Sequence, residues 1–258
     1  MRISLSEGTW DTSTADIVAI AVASDRTRLG RTLGRIEKVM GKGSVKPLAS
    51  DERFEGKSSQ TLKVAAGGST KARWLLLVGI GDEKDAELIA WRMGHAVASV
   101  ARAQKSAAVE LPDLTPESVR AATQGLVGGS YRYTEYKSDK DADKALGSAV
   151  ILGVPKGTRG LTSAVRAGKA IAESVNFARD LVNAPPNDLN PITLARAASR
   201  ESRKLGLSCR VWNKARIQKE GMNLFLAVNK GSAIEPRMIH VVYKPTRPKK
   251  TVVFVGKG

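Results

Sequence analysis

Few residues in this chain have the types and spacing that carry chemistry by themselves. The sequence has one cysteine, Cys209, and two histidines, His95 and His240, which are too few for a Cys/His zinc cluster or an internal disulfide. His95 lies in an amphipathic helical pattern and His240 in an apolar strand pattern, where packing or surface histidines are the ordinary case. We therefore assign neither histidine a catalytic role, and the single thiol favours a reducing compartment.

Two short glycine motifs resemble phosphate-binding loops. Gly79-Ile80-Gly81 follows an apolar run as a dinucleotide-binding turn would, but its third glycine is missing and Asp82 and Glu83 would repel phosphate. Gly56-Lys57-Ser58 matches the end of a P-loop, yet Asp51 stands where that loop needs a glycine. We predict a turn at the second motif and a nucleotide site at neither.

Lys257 follows a strongly apolar run, Thr251–Val255, whose pattern predicts a buried strand. A lysine at the end of a buried strand is costly as an unpaired cation, and burial favours loss of its proton, which frees the amine to bind a metal. Without further context, a solvated lysine at a strand end is the commoner case. Lys257 is thus a candidate metal ligand whose assignment depends on the rest of the chain.

The distribution of charge bears on a nucleic-acid function. The formal net charge is +17, but residues 1–150 carry 22 Lys and Arg against 19 Asp and Glu, whereas residues 151–258 carry 20 against 6. The surplus is therefore +3 in the first part and +14 in the second, which either binds a polyanion or faces an acidic partner. Charge alone does not choose between these two interpretations.

An aromatic and basic cluster is a second candidate for nucleic-acid binding. It consists of Tyr131, Tyr133 and Tyr136 with Arg132 and Lys137, and such residues can stack on single-stranded bases. Packing and oligomer contacts use the same residue types, and we favour them here. Nucleic acid is thus a possible partner but not the favoured one.

An alternation of strand and helix patterns predicts an α/β domain over residues 1–155. Continuous apolar runs predict its strands, and apolar residues at three- and four-residue steps predict its helices. Pro116 after Thr115 marks a helix start. The predicted strands are 15–23, 74–80 and 149–154, and the predicted helices are 26–40, 88–101 and 115–128.

A glycine-bearing break, Lys156–Gly160, separates this domain from a long amphipathic helix. We expect the helix to stop at Asn183, because Pro185 disfavours helical backbone before it, so that residues 156–183 form a linker helix. Gly168 falls on its apolar face, where it costs about 1 kcal/mol against alanine and marks a close packing contact.

A second α/β domain is predicted to begin within residues 184–258. Asn190 and Pro191 have the types expected of a helix cap and first helical residue, and that helix is expected to run to about Leu205. Three strands are predicted after it, at 210–212, 238–243 and 251–255.

The start of the chain carries no export or membrane signal. The residues Met1–Gly8 include an early acid and no apolar core of signal length. The longest early apolar run, Ile17–Ala23, is far too short to span a bilayer. We expect a cytoplasmic protein without a membrane partner.

Several stretches, in order along the chain, resemble one family, the cytosolic leucyl aminopeptidases with two divalent metals. The segment from Asn176 to Pro191, NFARDLVNAPPNDLNP, resembles the family's ARDLVN(T)PPN segment, and this match is long and specific. Asn229 departs from a later motif, since it stands at the place of a family glycine. The other similar stretches are 54–57 and 125–137 in the N-terminal part, and 221–222, 227–232, 236–237 and 255–258, which resemble GM, AVGxGS, PR and VGKG.

The resemblance implies a fold and a site. The fold is a macrodomain-like N-terminal α/β domain, a linker helix and the start of a metallopeptidase catalytic domain. The equivalent of Lys257 binds one of two divalent ions, Zn or Mn, in the family. No catalytic or cofactor-binding residue falls within this chain, because the family's acidic ligands, second lysine and arginine come later.

The resemblance also implies an activity. We expect the complete protein to release N-terminal, often apolar residues from peptides as a homohexamer, and this chain alone, its front half, to be inactive. The alternative is a non-catalytic nucleic-acid-binding or oligomerisation domain of the same family. The small surplus of +3 in residues 1–150 argues against the nucleic-acid alternative.

Overall fold

The structure is a computed structural model, and it describes residues 1–138 and 146–257. The chain divides into two compact units, Met1–Ala178 and Arg179–Gly258. Within the described ranges, no helix combines the length and apolar character that crossing a bilayer requires. The finer partition into 1–155, 156–183 and 184–258 stays a prediction.

The first unit is built on a six-stranded sheet with helices, which confirms the predicted α/β fold class. Its strands are β1 (Arg2–Leu5), β2 (Ile17–Ala23), β3 (Thr61–Ala65), β4 (Trp74–Gly81), β5 (Ser106–Glu110) and β6 (Ser148–Leu152). Its helices are α1 (Arg26–Met40), α2 (Lys46–Asp51), α3 (Ala86–Val100), α4 (Pro116–Gly129) and α5 (Leu161–Asn183), the last of which ends in the second unit. The strand order is β1-β6-β5-β2-β4-β3, and every described pair is parallel except β3 with β4.

Apolar side chains are buried on both faces of this sheet. Along β2, Ile17 belongs to the core that contains α3 and α4, and Val18 belongs to the core that contains α1. Leu76 and Leu77 of β4 divide between the two faces in the same way. Strands of a sheet that is covered on both sides consist of consecutive apolar residues, which is why the sequence pattern predicted β2 and β4. Each fully buried Leu or Ile side chain contributes about 1.5–3 kcal/mol to folding.

Two carboxylates fasten the ends of β5. At its start, Asp16 Oδ2 accepts hydrogen bonds from the amides of Lys105 and Ser106 at 3.0 and 2.9 Å and from the Ser106 hydroxyl at 3.1 Å. At its end, Glu110 accepts from the Trp10 amide at 2.9 Å and pairs with Arg35 of α1 at 3.0 Å. The carboxylates thus connect β5 to β2, α1 and the loop after β1, and they satisfy backbone donors that no ladder reaches.

Helices α3 and α4 pack closely because glycines stand where they cross. A Cβ built on Gly125 would overlap the Trp91 carbonyl, and one on Gly94 would overlap the Ala122 carbonyl. On the other side of α4, a Cβ on Gly168 of α5 would lie 2.5 Å from the Arg120 carbonyl oxygen, which confirms the close contact predicted at Gly168. Because the contacting atoms belong to the backbone, no side chain can change its rotamer to make room for an added methyl group.

We expect Gly125→Ala to destabilise the first unit by about 1–3 kcal/mol, because the added methyl group forces two helix backbones apart. Chemical denaturation measures the change. The matched control is Gly128→Ala in the same helix, where an added Cβ meets nothing within 4 Å, and where stability should rise by up to about 1 kcal/mol. Equal effects of the two substitutions would contradict the crossing contact.

Glu37 of α1 holds the connection to α2. Its carboxylate accepts from the amides of Gly43 and Lys46 at 3.2 and 3.1 Å and pairs with the Lys46 ammonium at 3.2 Å. The hydrogen bond from the Lys46 amide, helped by the Lys46 charge, lowers the pKa of Glu37 below its ordinary 4.5, although desolvation works in the opposite direction. The native state therefore prefers the ionised carboxylate.

Because the folded pKa of Glu37 is lowered, its contribution to stability is present above pH 4.5 and is lost as the pH falls through the lowered value. We expect the stability difference between the parent and Glu37→Gln to be largest near neutral pH and to shrink on acidification. Denaturation series between neutral and acidic pH measure it. Glu52→Gln, at an exposed carboxylate with no ion pair among the described residues, should show no such trend.

The second unit has a smaller core. Its helices are α6 (Pro191–Lys204), α7 (Lys214–Lys219) and α8 (Asn223–Asn229), and its strands β7 (Ser208–Trp212) and β8 (Met238–Val242) form an antiparallel pair. Helix α6 packs on this pair of strands. In the described part of the second unit, the buried aliphatic side chains are Ala195, Ala197 and Ile217. The strand predictions at 210–212 and 238–243 are thus confirmed with shifted ends.

The strand predicted at Thr251–Val255 is not formed. These residues belong to no ladder, and Val252, Val253, Phe254 and Val255 are between 71% and 94% exposed. An apolar run becomes a strand only when a neighbouring strand supplies hydrogen-bond partners, and none of the described segments does so. The prediction of a buried strand before Lys257 was therefore wrong for this structure.

Candidate functional site

The motif-bearing segment at the start of the second unit has a defined turn and cap. After α5 ends at Asn183, the amides of Asp188 and Leu189 both donate to the Pro185 carbonyl at 2.9 Å. Asn190 then caps α6: its side chain accepts from the Ile192 and Thr193 amides at 3.1 and 3.2 Å. The Thr193 hydroxyl accepts in return from the Asn190 amide at 2.8 Å, which completes a capping box. The predicted helix start at Asn190-Pro191 is confirmed.

The loop that contains Asn229 is held by the asparagine itself. Asn229 is the last residue of α8, its Nδ2 donates to the Ile234 carbonyl at 2.9 Å, and its carbonyl accepts from the Ser232 amide at 2.9 Å. The φ angle of Asn229 is not positive, so the backbone at this position does not require a glycine. The departure from the family glycine therefore adds a side-chain tether across the loop.

Lys257, the predicted metal ligand, lies in the unpaired segment after β8 and is exposed. The preceding Val255 is 94% exposed, so the described residues do not provide the buried strand end from which the metal-binding argument started. Nothing in this arrangement tests the ligand assignment, which stays a prediction.

The described residues do not by themselves assemble a metal centre. Nowhere in residues 1–138 and 146–257 do three or more His, Cys, Asp or Glu side chains come together as a metal ion requires. Cys209 lies 3.7 Å from the Ser199 hydroxyl, and His240 is exposed on β8. One amine cannot fix two divalent ions, so the donor set present here does not fit a two-metal site, and no catalytic step is assigned to it.

The two glycine motifs pack against each other instead of forming a phosphate site. The Gly81 amide donates to the Gly56 carbonyl at 2.9 Å, and a Cβ on Gly79 would overlap the Lys57 carbonyl. Gly56 has a φ of +68°, and the Gln60 amide donates to the Lys57 carbonyl at 3.0 Å, which confirms the predicted turn. The glycines thus allow two backbones to approach each other, and the amides of Gly79 and Gly81 already donate to the Gln60 and Gly56 carbonyls.

Two pairs of rings make contacts among the aromatic and histidine residues singled out in the sequence. Tyr133 and Tyr136 pack on each other with ring centroids 6.0 Å apart and planes at 57°. His95 stacks on Trp91 within α3 at 5.0 Å and 19°. The stacking accounts for His95 as a packed histidine. Tyr136 is 58% exposed, so the packing interpretation of the tyrosine cluster stays a prediction.

Comparison with known proteins identifies the family. The model of the N-terminal domain of the cytosol aminopeptidase family matches residues 28–140, and the model of the catalytic domain of the same family matches residues 176–258. The two matches follow the order of the motifs along the chain. The chain belongs to the cytosol aminopeptidase family, which confirms the resemblance seen in the sequence.

Curated relatives agree with this assignment. A probable cytosol aminopeptidase of Aquifex aeolicus is 37% identical over 235 residues, which cover 88% of this chain and 46% of the relative. A probable cytosol aminopeptidase of Persephonella marina is 31% identical over 252 residues, covering 94% of this chain and 50% of the relative. The chain spans about half the length of the curated relatives it matches.

Solved structures share the fold. A mutant of tomato leucine aminopeptidase superposes with a TM-score of 0.84 at 24% identity, over 97% of this chain and 52% of that chain. At that identity the match speaks for the fold alone. The bottromycin maturation enzyme BotP in complex with Mn superposes with a TM-score of 0.65 at 26% identity, over 90% of this chain and 46% of that chain.

We expect Asn229→Ala to loosen the loop after α8 by about 1 kcal/mol, because it removes the hydrogen bond to the Ile234 carbonyl. Faster amide hydrogen exchange in residues 230–235, at unchanged exchange in α6, would report this local opening. Asn223→Ala at the other end of α8 is the control, since its side chain makes no hydrogen bond among the described residues. Identical exchange in the two variants would rule out the tether.

Proposed function

We propose that this chain supplies the N-terminal domain and the first part of the catalytic domain of a metal-dependent aminopeptidase. The observation that carries the proposal is the ordered match to both domains of one peptidase family, over residues 28–140 and 176–258. Curated relatives with 37% and 31% identity are named as probable cytosol aminopeptidases, which supports the same activity. The proposed reaction is the hydrolytic release of N-terminal, often apolar residues of the leucine type from peptides.

Lys257 is proposed as a ligand of one of two divalent metal ions, Zn or Mn. It lies within the match to the catalytic domain, and its amine is a ligand once it loses its proton. A solved relative, BotP, is in complex with Mn, which supports a divalent metal in this fold. The remaining ligands are proposed to lie in the half of the relatives that this chain does not span, and the chain alone is proposed to be inactive.

The complete protein is proposed to act on peptides as a homohexamer in the cytoplasm. The cytoplasmic location is supported by the names of the relatives, which are cytosol aminopeptidases. The domains are proposed to follow the sequence-based partition: an N-terminal α/β domain at 1–155, a linker helix at 156–183 and the catalytic domain from 184.

The proposal is tested by joining this chain at Gly258 to the second half of the Aquifex aeolicus relative. With Mn or Zn present, the joined protein should hydrolyse a leucine anilide, whereas the 258-residue chain should not. Lys257→Ala in the joined protein should lower kcat/KM by at least about 100-fold, since even residues that only support a metal ligand are worth 10–100-fold.

The control is Lys250→Ala, which removes an exposed lysine of the same charge from the loop before Thr251 and should leave kcat/KM unchanged. Calorimetric titration with Mn separates loss of metal from loss of chemistry, because a missing ligand weakens metal affinity directly. A folded joined protein whose Lys257→Ala variant keeps the parent's kcat/KM and Mn affinity would falsify the ligand assignment. A folded joined protein that binds Mn but hydrolyses no peptide substrate would contradict the aminopeptidase proposal.

A further inference from the structure

The second unit has an open groove of about 530 Å³ between α6 and β7. It is lined by apolar side chains, which include Ile192 and Val211, and by four arginines. We call this feature the arginine groove; its arginines are Arg196, Arg200 and Arg203 of α6 and Arg237 before β8. All of these residues lie within one compact unit, so the groove does not depend on the first unit.

The charge of the arginine groove is not neutralised by nearby acids. Arg200 pairs with Glu201 at 3.2 Å, and the exposed Arg200 gains little from this pair. Arg237, whose side chain is 18% exposed, pairs with Glu235 at 3.1 Å. Arg196 and Arg203 have no acidic partner among the residues that the structure describes. Glu201 is shared with Lys204 at 2.9 Å, and that hydrogen bond lowers its pKa, so this carboxylate is already committed to two cations.

Acidic residues are scarce in the unit that contains the arginine groove. Residues 179–258 contain 16 Lys and Arg against 5 Asp and Glu, a surplus of +11. Guanidinium groups bind carboxylates and phosphates through paired hydrogen bonds, and several of them around one concave surface attract an anionic partner. The partner must therefore bring the acids.

The shape of the groove favours an extended peptide over a small anion. Small ligands are held in pockets that bury most of their surface, whereas this groove is open. Strand β7 forms its wall and pairs only with β8 among the described segments, so its other edge has free backbone groups. A peptide strand added to such an edge gains backbone hydrogen bonds along its length.

The spacing of the arginines matches such a strand. Arg196 and Arg200 are one helical turn apart, a rise of about 6 Å. Alternate residues of an extended chain are about 6.6 Å apart and point to the same side. An extended peptide added to the edge of β7, with acidic and apolar residues alternating, would direct its carboxylates to the α6 side, toward the arginines, and its apolar side chains to the opposite face of the sheet.

We propose that the arginine groove binds an extended acidic peptide segment of a partner protein. Charge complementarity supplies the orientation and the association rate, and the backbone edge of β7 supplies the short-range contacts. The proposal goes beyond peptide hydrolysis and requires neither a metal ion nor Lys257. Its failure would therefore leave the proposed aminopeptidase function untouched.

The test uses the 258-residue chain and a fluorescent peptide in which Glu and Val alternate, with anisotropy as the readout. The chain should bind this peptide and should bind the matched Gln and Val peptide at least about tenfold more weakly, since the neutral amides cannot form charge-assisted hydrogen bonds with the arginines. The double variant Arg196→Gln, Arg203→Gln should lose at least about tenfold in affinity for the acidic peptide.

The charge-matched control is the double variant Lys244→Gln, Lys249→Gln, which removes the same charge from the exposed loop after β8 and should bind like the parent. Equal losses in the two double variants would show attraction by net charge alone and would overturn the proposal, as would absence of binding. Tighter binding of tripolyphosphate or duplex DNA than of the peptide, dependent on Arg196 and Arg203, would identify a phosphate site instead. Binding that vanishes when the chain is joined to the second half of the Aquifex aeolicus relative would show that the groove is covered within one polypeptide.

Discussion

Burial of β2 on both faces is the constraint to which the rest of the first unit is fitted. Alternate residues of this strand enter two separate cores, and its two edges carry β4 and β5. A strand with no solvated face must have every polar backbone group paired and every neighbouring element close. At the start of β5, the Asp16 carboxylate accepts hydrogen bonds from backbone amides. Beside β4, glycines allow the neighbouring backbone to come close. The close crossing of α3 with α4 then covers one face with few large side chains.

The elements that the sequence predicted are those whose signal is local. The helix at Arg26–Met40 coincides with its prediction, and the caps at Thr115 and Asn190 carry their own hydrogen-bond partners within three residues. Strands β3 and β5 were missed because their patterns are weak: β3 alternates with an exposed face at the sheet edge, and β5 is Ser106-Ala107-Ala108-Val109-Glu110, with small side chains. Their place is decided by neighbours that are distant in sequence.

The candidate site shows the same division. Family motifs near Asn176–Pro191 and Gly221–Ser232 were visible in the sequence, and the family assignment followed from them. The environment of Lys257 could not be predicted from the sequence. A strand at Thr251–Val255 requires a ladder partner, and no local pattern specifies that partner. The arginine groove was equally hidden, since three of its arginines are spaced along one helix but Arg237 and Val211 join them only through the packing of α6 on the β7-β8 pair.

The position of β1 at the sheet edge sets the order in which the first unit can assemble. Arg2 pairs with Ser148, so β1 receives its ladder partner only after most of the unit that follows it has been synthesised. At ordinary rates of translation that interval is on the order of ten seconds, and during it the amides and carbonyls of β1 remain exposed. Folding by long-range closure is slow for the same topological reason. The backbone of β1 therefore lacks its sheet partner until β6 has been synthesised, and during that interval its open edge can pair with other chains.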